Sequence, residues 1–254
     1  GVAVGIIHYH IVCGIASRIL SSQFLPHEVI HVQAAGRRRR RGTEGHVAAH
    51  GDGLVVLVLE PDVSAHRGGE APIYDWFQKK VIWIEANPKI FNDLNQNIQE
   101  YYNQKAYNYL LSNVDNELKE FNISNNDGAS SSIFKFGNLS IGNESQWKER
   151  NLKMVNVIKL KSISLDTFVE ENKIDIELYN HWVLDLQGAE LLVLNGAENS
   201  LKKCKSIFIE VSQGEVYKDG AQWNEIKSFL HKKNFKNSWD IEGSHTSVLF
   251  KKIT

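Results

Sequence analysis

From residue 72 to the C-terminus, short unbroken apolar runs alternate with runs whose apolar positions recur at three and four, so strands alternate with helices. Ile73–Lys80 reads as the end of a helix, and Val81-Ile-Trp-Ile84 as a buried strand ending at Glu85. Asn87 and Pro88 supply a cap and a first helical residue, and Phe91, Leu94, Ile98 and Tyr102 share one face of the helix that follows. Ala106–Leu111 and Leu118–Ile123 read as strands around the polar turn Ser112–Asn116, with a loop at Asn125–Ser132. Ser164-Leu-Asp-Thr-Phe168 opens another helix.

In Trp182-Val-Leu-Asp-Leu-Gln-Gly-Ala-Glu190 an apolar strand through Leu186 turns at Gly188 into a helix over Gly188–Leu194. Ser206–Val211 is the next strand, and Trp223, Ile226, Phe229 and Leu230 form one helical face. Lys236–Ile241 and Ser247–Lys252 close the chain as a hairpin around Glu242-Gly243. The order predicts a mostly parallel α/β sheet covered on both faces, with one antiparallel strand at the end.

Residue usage divides the chain near residue 71. Residues 1–71 hold seven of the eight arginines and seven of the ten histidines, without a Lys or Asn, whereas the remainder is rich in Lys, Asn, Ile and Tyr. We therefore treat 1–70 as an atypical Arg/His/Gly-rich segment and 71–254 as the domain. The abrupt shift favours a segment foreign to the domain, by mis-joining or out-of-frame translation. A solvated, disordered linker and a basic arm centred on Arg37–Arg41 are the alternatives.

The 254 residues carry a formal net charge of −1, so no overall field draws the chain to nucleic acid or anionic lipid. Cys13 and Cys204 supply neither a disulfide framework nor zinc-ligand spacing, and His8, His10 and Cys13 have no second cluster to complete a site. We expect no metal and a reducing, cytoplasmic setting. The opening GVAVGIIHYHIVCGIAS is too short and too interrupted by histidine to span a bilayer, and it lacks a basic flank for export.

Four stretches in order, "VIWIEANP", "SLDTF", "LDLQGAELLVLNGAE" and "IFIEVSQGEVY" with the helical face after it, resemble the FkbM-type methyltransferases from about residue 72 onward. The resemblance implies a Rossmann-like class I sheet, S-adenosyl-L-methionine as cofactor, and O-methylation of a hydroxyl on a sugar, lipid or natural product. The acceptor is then a small molecule or glycan, and the closing hairpin agrees with the antiparallel strand of class I enzymes.

A carboxylate at a strand's carboxyl end accepts hydrogen bonds from both hydroxyls of a ribose, and Glu85 stands at such an end. Ser112 and Asn113 are candidate contacts at the adenine edge. The resemblance places Asp185 toward the methionine end of the cofactor or the acceptor hydroxyl, with capping of the following helix as its structural alternative. It also raises Glu190 to a second catalytic candidate, although a carboxylate in a first helical turn also complements the helix dipole. Glu210, Gln213 and Tyr217 follow the next strand as candidate acceptor contacts. His181 and His245 are proton acceptors only if they approach the site, and otherwise ordinary surface histidines.

Class I enzymes place a strand, an acid and a glycine loop ahead of these motifs. Here Leu54–Leu59 and Glu60 stand in that place, but Pro61–Arg67 is not glycine-rich, leaving Gly68 and Gly69, with Gly69 as the tail of a degenerate or missing loop. A non-catalytic or damaged relative that binds no cofactor is accordingly the alternative to an active enzyme. A nicotinamide dehydrogenase ranks third, because no complete G-x-G-x-x-G is present.

Overall fold

The computed structural model describes residues 67–138, 140–141, 144–145, 151–241 and 243–253. The Leu54–Leu59 strand, Glu60, the arginine run, His8, His10 and Cys13 lie outside them.

The described chain begins with a turn, Arg67–Glu70, that is joined to the domain. Arg67 Nε donates to Asp93 Oδ2 at 2.9 Å, and its guanidinium lies 2.6 Å from Asp127 Oδ2. Gly68 has φ +77°, and a Cβ there would sit 3.0 Å from side-chain atoms of Ile98 and Leu94. Helix α1 (Ala71–Trp76) follows, stopping short of Lys80 because Gln78 takes a left-handed φ of 53°.

Strand β1 (Val81–Ile84) is buried along its length and pairs in parallel with β2 (Gln104–Tyr107) after the crossover helix α2 (Pro88–Asn97). The Asn87 side chain accepts from Lys89 N at 3.1 Å and Pro88 opens the helix, as the sequence pattern predicts. Buried Gln104 accepts from Trp83 Nε1 at 2.9 Å and donates to Ala71 O at 2.7 Å, tying α1 to this pair.

The expected Ala106–Leu111 strand is divided between two sheets. Asn108 Nδ2 donates to Glu85 O at 2.7 Å and Ala86 O at 3.1 Å, so a side chain takes over the ladder's last acceptors and the backbone turns away. Strand β3 (Leu110–Ser112) pairs in parallel with β7 (Met154–Ser164), and β4 (Leu118–Ser124) lies antiparallel on the other side of β7. Strand β7 is not among the expected elements, although MVNVIKLKSIS alternates at Ile158–Lys161. Between them β5 (Ser140–Ile141) and β6 (Glu144–Ser145) form a short antiparallel pair.

Helix α3 (Leu165–Glu171) leads through a 3₁₀ turn, Ile176–Leu178, to β8 (His181–Leu184). Helices α4 (Glu190–Asn195) and α5 (Ser200–Lys203) then precede β9 (Ser206–Ser212), which is parallel to β8. Helix α6 (Trp223–Lys232), β10 (Phe235–Asn237) and β11 (His245–Lys252) end the fold, with β11 inserted antiparallel between β9 and β10. The closing hairpin is therefore present. Its first strand is shorter than expected because Asn237 Nδ2 donates to Trp239 O at 3.0 Å and to Asp240 Oδ1 at 3.1 Å, bending the chain out of the ladder.

The result is a mixed α/β domain with parallel and antiparallel pairs. Ile82 and Ile84 of β1 share one buried core with Trp182 and Leu184 of β8, with Val193 and Leu194 of α4, and with Ile226 and Leu230 of α6. Among the described residues β1 bonds only to β2, and β8 only to β9. No helix among them is long and apolar enough to cross a membrane.

The SLDTF stretch has a structural explanation. Ser164 Oγ accepts from Thr167 N at 3.1 Å, and the Asp166 carboxylate accepts from Asn199 N (2.7 Å), Ser200 N (2.8 Å) and Ser200 Oγ (2.6 Å). It thus binds the amides that open α5, where a negative charge is favoured. Asp166→Ala should cost about 2 kcal/mol, a typical loss for charge-assisted bonds. Urea unfolding measures this, and a loss below about 0.5 kcal/mol would show that these bonds are exchanged for water without penalty.

Candidate active site

Two strand ends meet at one cleft. Glu85 follows β1 and Asp185 follows β8, and both line a solvent-open cleft of about 520 Å³ whose walls include Ile90, Leu110, Leu111 and Phe121. Glu85 is buried, and its Oε1 accepts from Asn87 N at 2.5 Å. Burial pushes its carboxyl up to about 8, outweighing the Asn87 and Ala86 amides that favour the carboxylate. Gly128 lines the same cleft with φ +87°, and a Cβ there would lie 2.8 Å from Ile90 Cδ1 and 3.2 Å from Asn87 Nδ2. Only glycine lets this loop lie against the start of α2 without narrowing the cleft.

The turn after β8 is built from its own polar residues. Gln187 and Gly188 both take positive φ, 52° and 96°, which reverses the chain before α4. Gly188 does not bring the helix against the strand, as a glycine in a strand-to-helix turn suggests. Its bare Cα instead faces the 217–220 turn, where a Cβ would lie 3.0 Å from Tyr217 Cβ and 3.4 Å from Gly220 Cα. Buried Glu190 folds back so that Oε1 accepts from Leu186 N at 2.7 Å and Gly188 N at 3.3 Å. Burial raises its pKa against these amide bonds. These contacts make Glu190 the closure of the turn.

Asp185 does not cap α4: the N-cap position is held by Ala189, with no side-chain cap bond. Asp185 Oδ1 accepts from Gln187 Nε2 at 2.5 Å, and the same Nε2 donates to Glu210 Oε2 at 3.0 Å. Both amide hydrogens are therefore used on carboxyl oxygens. Gln187 Oε1 in turn accepts from the Tyr217 hydroxyl, which orients the amide. The half-buried Asp185 is held well above the usual carboxylate range, first by burial and then by the charge and hydrogen bond of Glu210. Burial, with Glu210 and Asp185 nearby, also pushes the Tyr217 phenol up and keeps it a donor.

Behind this turn lies a second cavity of about 300 Å³, lined by Glu190, Glu210, Ser212, Tyr217 and His245 together with glycines 188, 214 and 220. His245 Nε2 lies 2.7 Å from Glu210 Oε1, and its Nδ1 is 2.7 Å from Ser212 Oγ. The sequence leaves His245 as a proton acceptor only if it approaches the site, and its side chain is both exposed, at 40%, and near a carboxylate. The cross-strand register that sets His245 opposite Ser212 brings it to the carboxylates.

The other candidates lie apart. Ser112 is fully buried with its carbonyl against Gly196, Asn113 is exposed beyond it, and neither lines the cleft, whose wall is made by Leu110 and Leu111. Gln213 is exposed and joined through its backbone to Ser244 O at 2.9 Å. Gly69 is exposed on the entry turn. His181 is buried at the opposite, amino end of β8, with Nδ1 2.7 Å from Ser206 Oγ.

Acidic groups at the carboxyl ends of β1 and β8 in a largely apolar cleft, with Glu210 of β9 lining the second cavity, define an α/β domain suited to a small ligand at its sheet edge. The family model described as Methyltransferase FkbM domain matches residues 62–236. The chain belongs to that family, and the match begins upstream of the residues that carry the resemblance in sequence. Neither curated proteins nor solved structures gave a match.

Proposed function

We propose that the domain is an S-adenosylmethionine-dependent methyltransferase with a Rossmann-like sheet, acting on a hydroxyl of a sugar, lipid or natural product. The observation that carries this reading is the convergence of Glu85 and Asp185 on one apolar-walled cleft. The residues present suit the cofactor: Glu85 offers a carboxylate to a ribose diol, Ile90, Leu110 and Phe121 offer an apolar slot to a purine, and Gly128 keeps that slot open.

The bound cofactor supplies an activated methyl group on a positively charged sulfur. Because that leaving group needs no acid, the protein's task is to position the acceptor and remove its proton. Asp185 faces the cleft and can take that proton. Gln187 holds Asp185 in place, and Tyr217 holds Gln187. Buried Cys204, a free thiol, suits a reducing compartment such as the cytoplasm.

Calorimetry with S-adenosylhomocysteine tests the reading, and we expect dissociation constants on the order of micromolar, about −8 kcal/mol. Absence of heat, with a folded protein, would favour the second reading, a relative that keeps the fold without the cofactor. The non-glycine stretch Pro61–Arg67 is the feature behind that alternative.

A further inference from the structure

Residues 71–254 carry 24 acids against 22 lysines and arginines, yet the lysines are unevenly spread. Three stretches far apart in sequence, 199–205, 229–238 and 250–253, hold eight lysines and no acid. The fold brings them together on the rim at the amino ends of β8 and β9. There Lys252 N donates to Lys205 O at 2.8 Å, Ile253 N donates to Asn234 O at 2.7 Å, and Lys236 lies opposite Lys251 across the β10–β11 pair. We infer that this lysine rim is a docking surface for an anionic lipid bilayer. The inference does not depend on the reaction performed in the cleft.

Three of the eight lysines have a structural role. Lys252 Nζ donates to Leu201 O at 3.0 Å and Lys202 O at 2.7 Å, closing the carboxyl end of α5, where a cation is favoured. Lys203 and Lys233 pair with Glu177 and Glu198 at the border of the surface. The other five, Lys202, Lys205, Lys232, Lys236 and Lys251, are exposed and form no ion pair among the described residues. Lys236 and Lys251 stand where a sheet disfavours them, because like charges directly opposite on antiparallel strands destabilise the pair. Fold stability does not account for that arrangement, whereas a negatively charged partner does.

The chemistry of the rim selects a bilayer over other anions. Its cations are lysines, strongly hydrated point charges suited to a diffuse negative surface, without the arginine fork that grips a single phosphate. Phe235 and Phe250 are buried and Phe229 lies beneath Lys233, so none of these rings is open for a nucleic-acid base to stack on. Lysine is depleted at interfaces between proteins, whereas clusters of four to eight basic residues are a recurrent mark of anionic-lipid binding. Ile253, 60% exposed after Lys252, adds an apolar side chain that can enter the headgroup layer. The near-zero net charge does not oppose docking, since salt screens acids more than about 8 Å away at physiological ionic strength. Asp185 follows β8 at its carboxyl end and Lys205 precedes β9 at its amino end, so a docked domain keeps its cleft open to the aqueous phase.

Co-sedimentation of the full chain with vesicles of phosphatidylcholine containing about 30% phosphatidylserine tests the surface. The parent should bind them at about 0.1 M salt and lose most of that binding at about 0.5 M. Replacing Lys202, Lys205, Lys232, Lys236 and Lys251 together by Gln should weaken binding by about 100-fold or more, since each lysine near an anionic surface contributes about fivefold. The arginine run 37–41 is present in both proteins, so the comparison reads the lysine rim alone. Failure of the parent to bind, or equal binding by the variant, overturns the inference. So does tighter binding of a short DNA or RNA oligonucleotide that the same substitutions abolish, which would make the partner a nucleic acid. Should the fivefold variant not fold, Lys236→Gln combined with Lys251→Gln decides. Its vesicle binding should fall by about tenfold or more, while its melting temperature rises by about 1–3 °C because the like-charge pair is gone. Unchanged vesicle binding in that variant overturns the inference.

Discussion

Glu85→Ala should weaken S-adenosylhomocysteine binding by about 10- to 100-fold, the equivalent of about 1.5–3 kcal/mol for hydrogen bonds to a charged group. The same residue should make binding depend on pH. With its carboxyl at about 8 in the free protein, Glu85 is largely protonated at pH 7 and can accept from both ribose hydroxyls only after losing that proton. Affinity should therefore rise from pH 6 to pH 8 and then level off, and the rise should vanish in Glu85→Gln. A flat profile in the parent protein would place the ribose elsewhere.

Stability should move the opposite way. A carboxyl whose folded pKa lies above its unfolded value stabilises the fold fully below the unfolded pKa, and that contribution is lost as pH rises through the folded pKa. For Glu85 the window runs from about 4.5 to about 8. Above it, Glu85→Gln should be the more stable protein by about 1–3 kcal/mol, because a neutral amide replaces a buried charge. The amide oxygen can keep the bond from Asn87 N. Parallel chemical denaturation at pH 5 and pH 8.5 reads the effect, and a variant less stable than the parent at both values would contradict it. Gain of stability with loss of binding in one substitution is the expected signature of a ligand-binding carboxylate.

The second large effect is at Gly196, a motif residue without a side chain to do chemistry. A Cβ there would lie 2.2 Å from Ser112 O, a backbone atom at the end of β3, and 3.1 Å from Asn113 Cα. Its φ of −87° is open to any residue, so the requirement is one of space and not of conformation. Gly196 O also accepts from Asp166 N at 3.0 Å, so displacing this loop disturbs α3 as well. Gly196→Val should cost about 3 kcal/mol or more, as overpacking against backbone does. Thermal melting measures it. A variant within about 1 kcal/mol of the parent would show that α4 and β3 can separate without penalty.

These effects divide the motifs by role. In "LDLQGAELLVLNGAE" only Asp185 and Gln187 face the cleft with polar side chains, while Glu190 closes a turn and Gly196 admits a neighbouring strand. In "SLDTF" the aspartate serves α5. Motif residues thus include many that shape the scaffold. Asp166→Ala and Glu85→Ala, compared for stability and binding, distinguish the two kinds.

Local signals determined much of this fold. The unbroken apolar run of β1, the Asn-Pro opening of α2, the Ser cap of α3 and the Trp/Ile/Leu face of α6 are short-range features, set within one turn or one strand, and each was legible without a structure. Glu85 and Asp185 were legible for the same reason: an acid that ends a buried run marks a sheet edge wherever the strand is placed. What lay beyond reach depended on partners distant in sequence. The break between β2 and β3 comes from Asn108 bonding to the end of β1, and the short β10 from a side-chain bend at Asn237. Ser112 and Asn113 fall away from the cleft because β3 pairs with β7 and packs on Gly196. His245 reaches Glu210 only through the antiparallel register of β11 on β9, a pairing that sets residues 35 apart in sequence side by side. Burial energetics and strand register are properties of the assembled core, so the protonation of Glu85 and the linkage of Asp185, Gln187, Glu210 and His245 were decided by the tertiary structure alone.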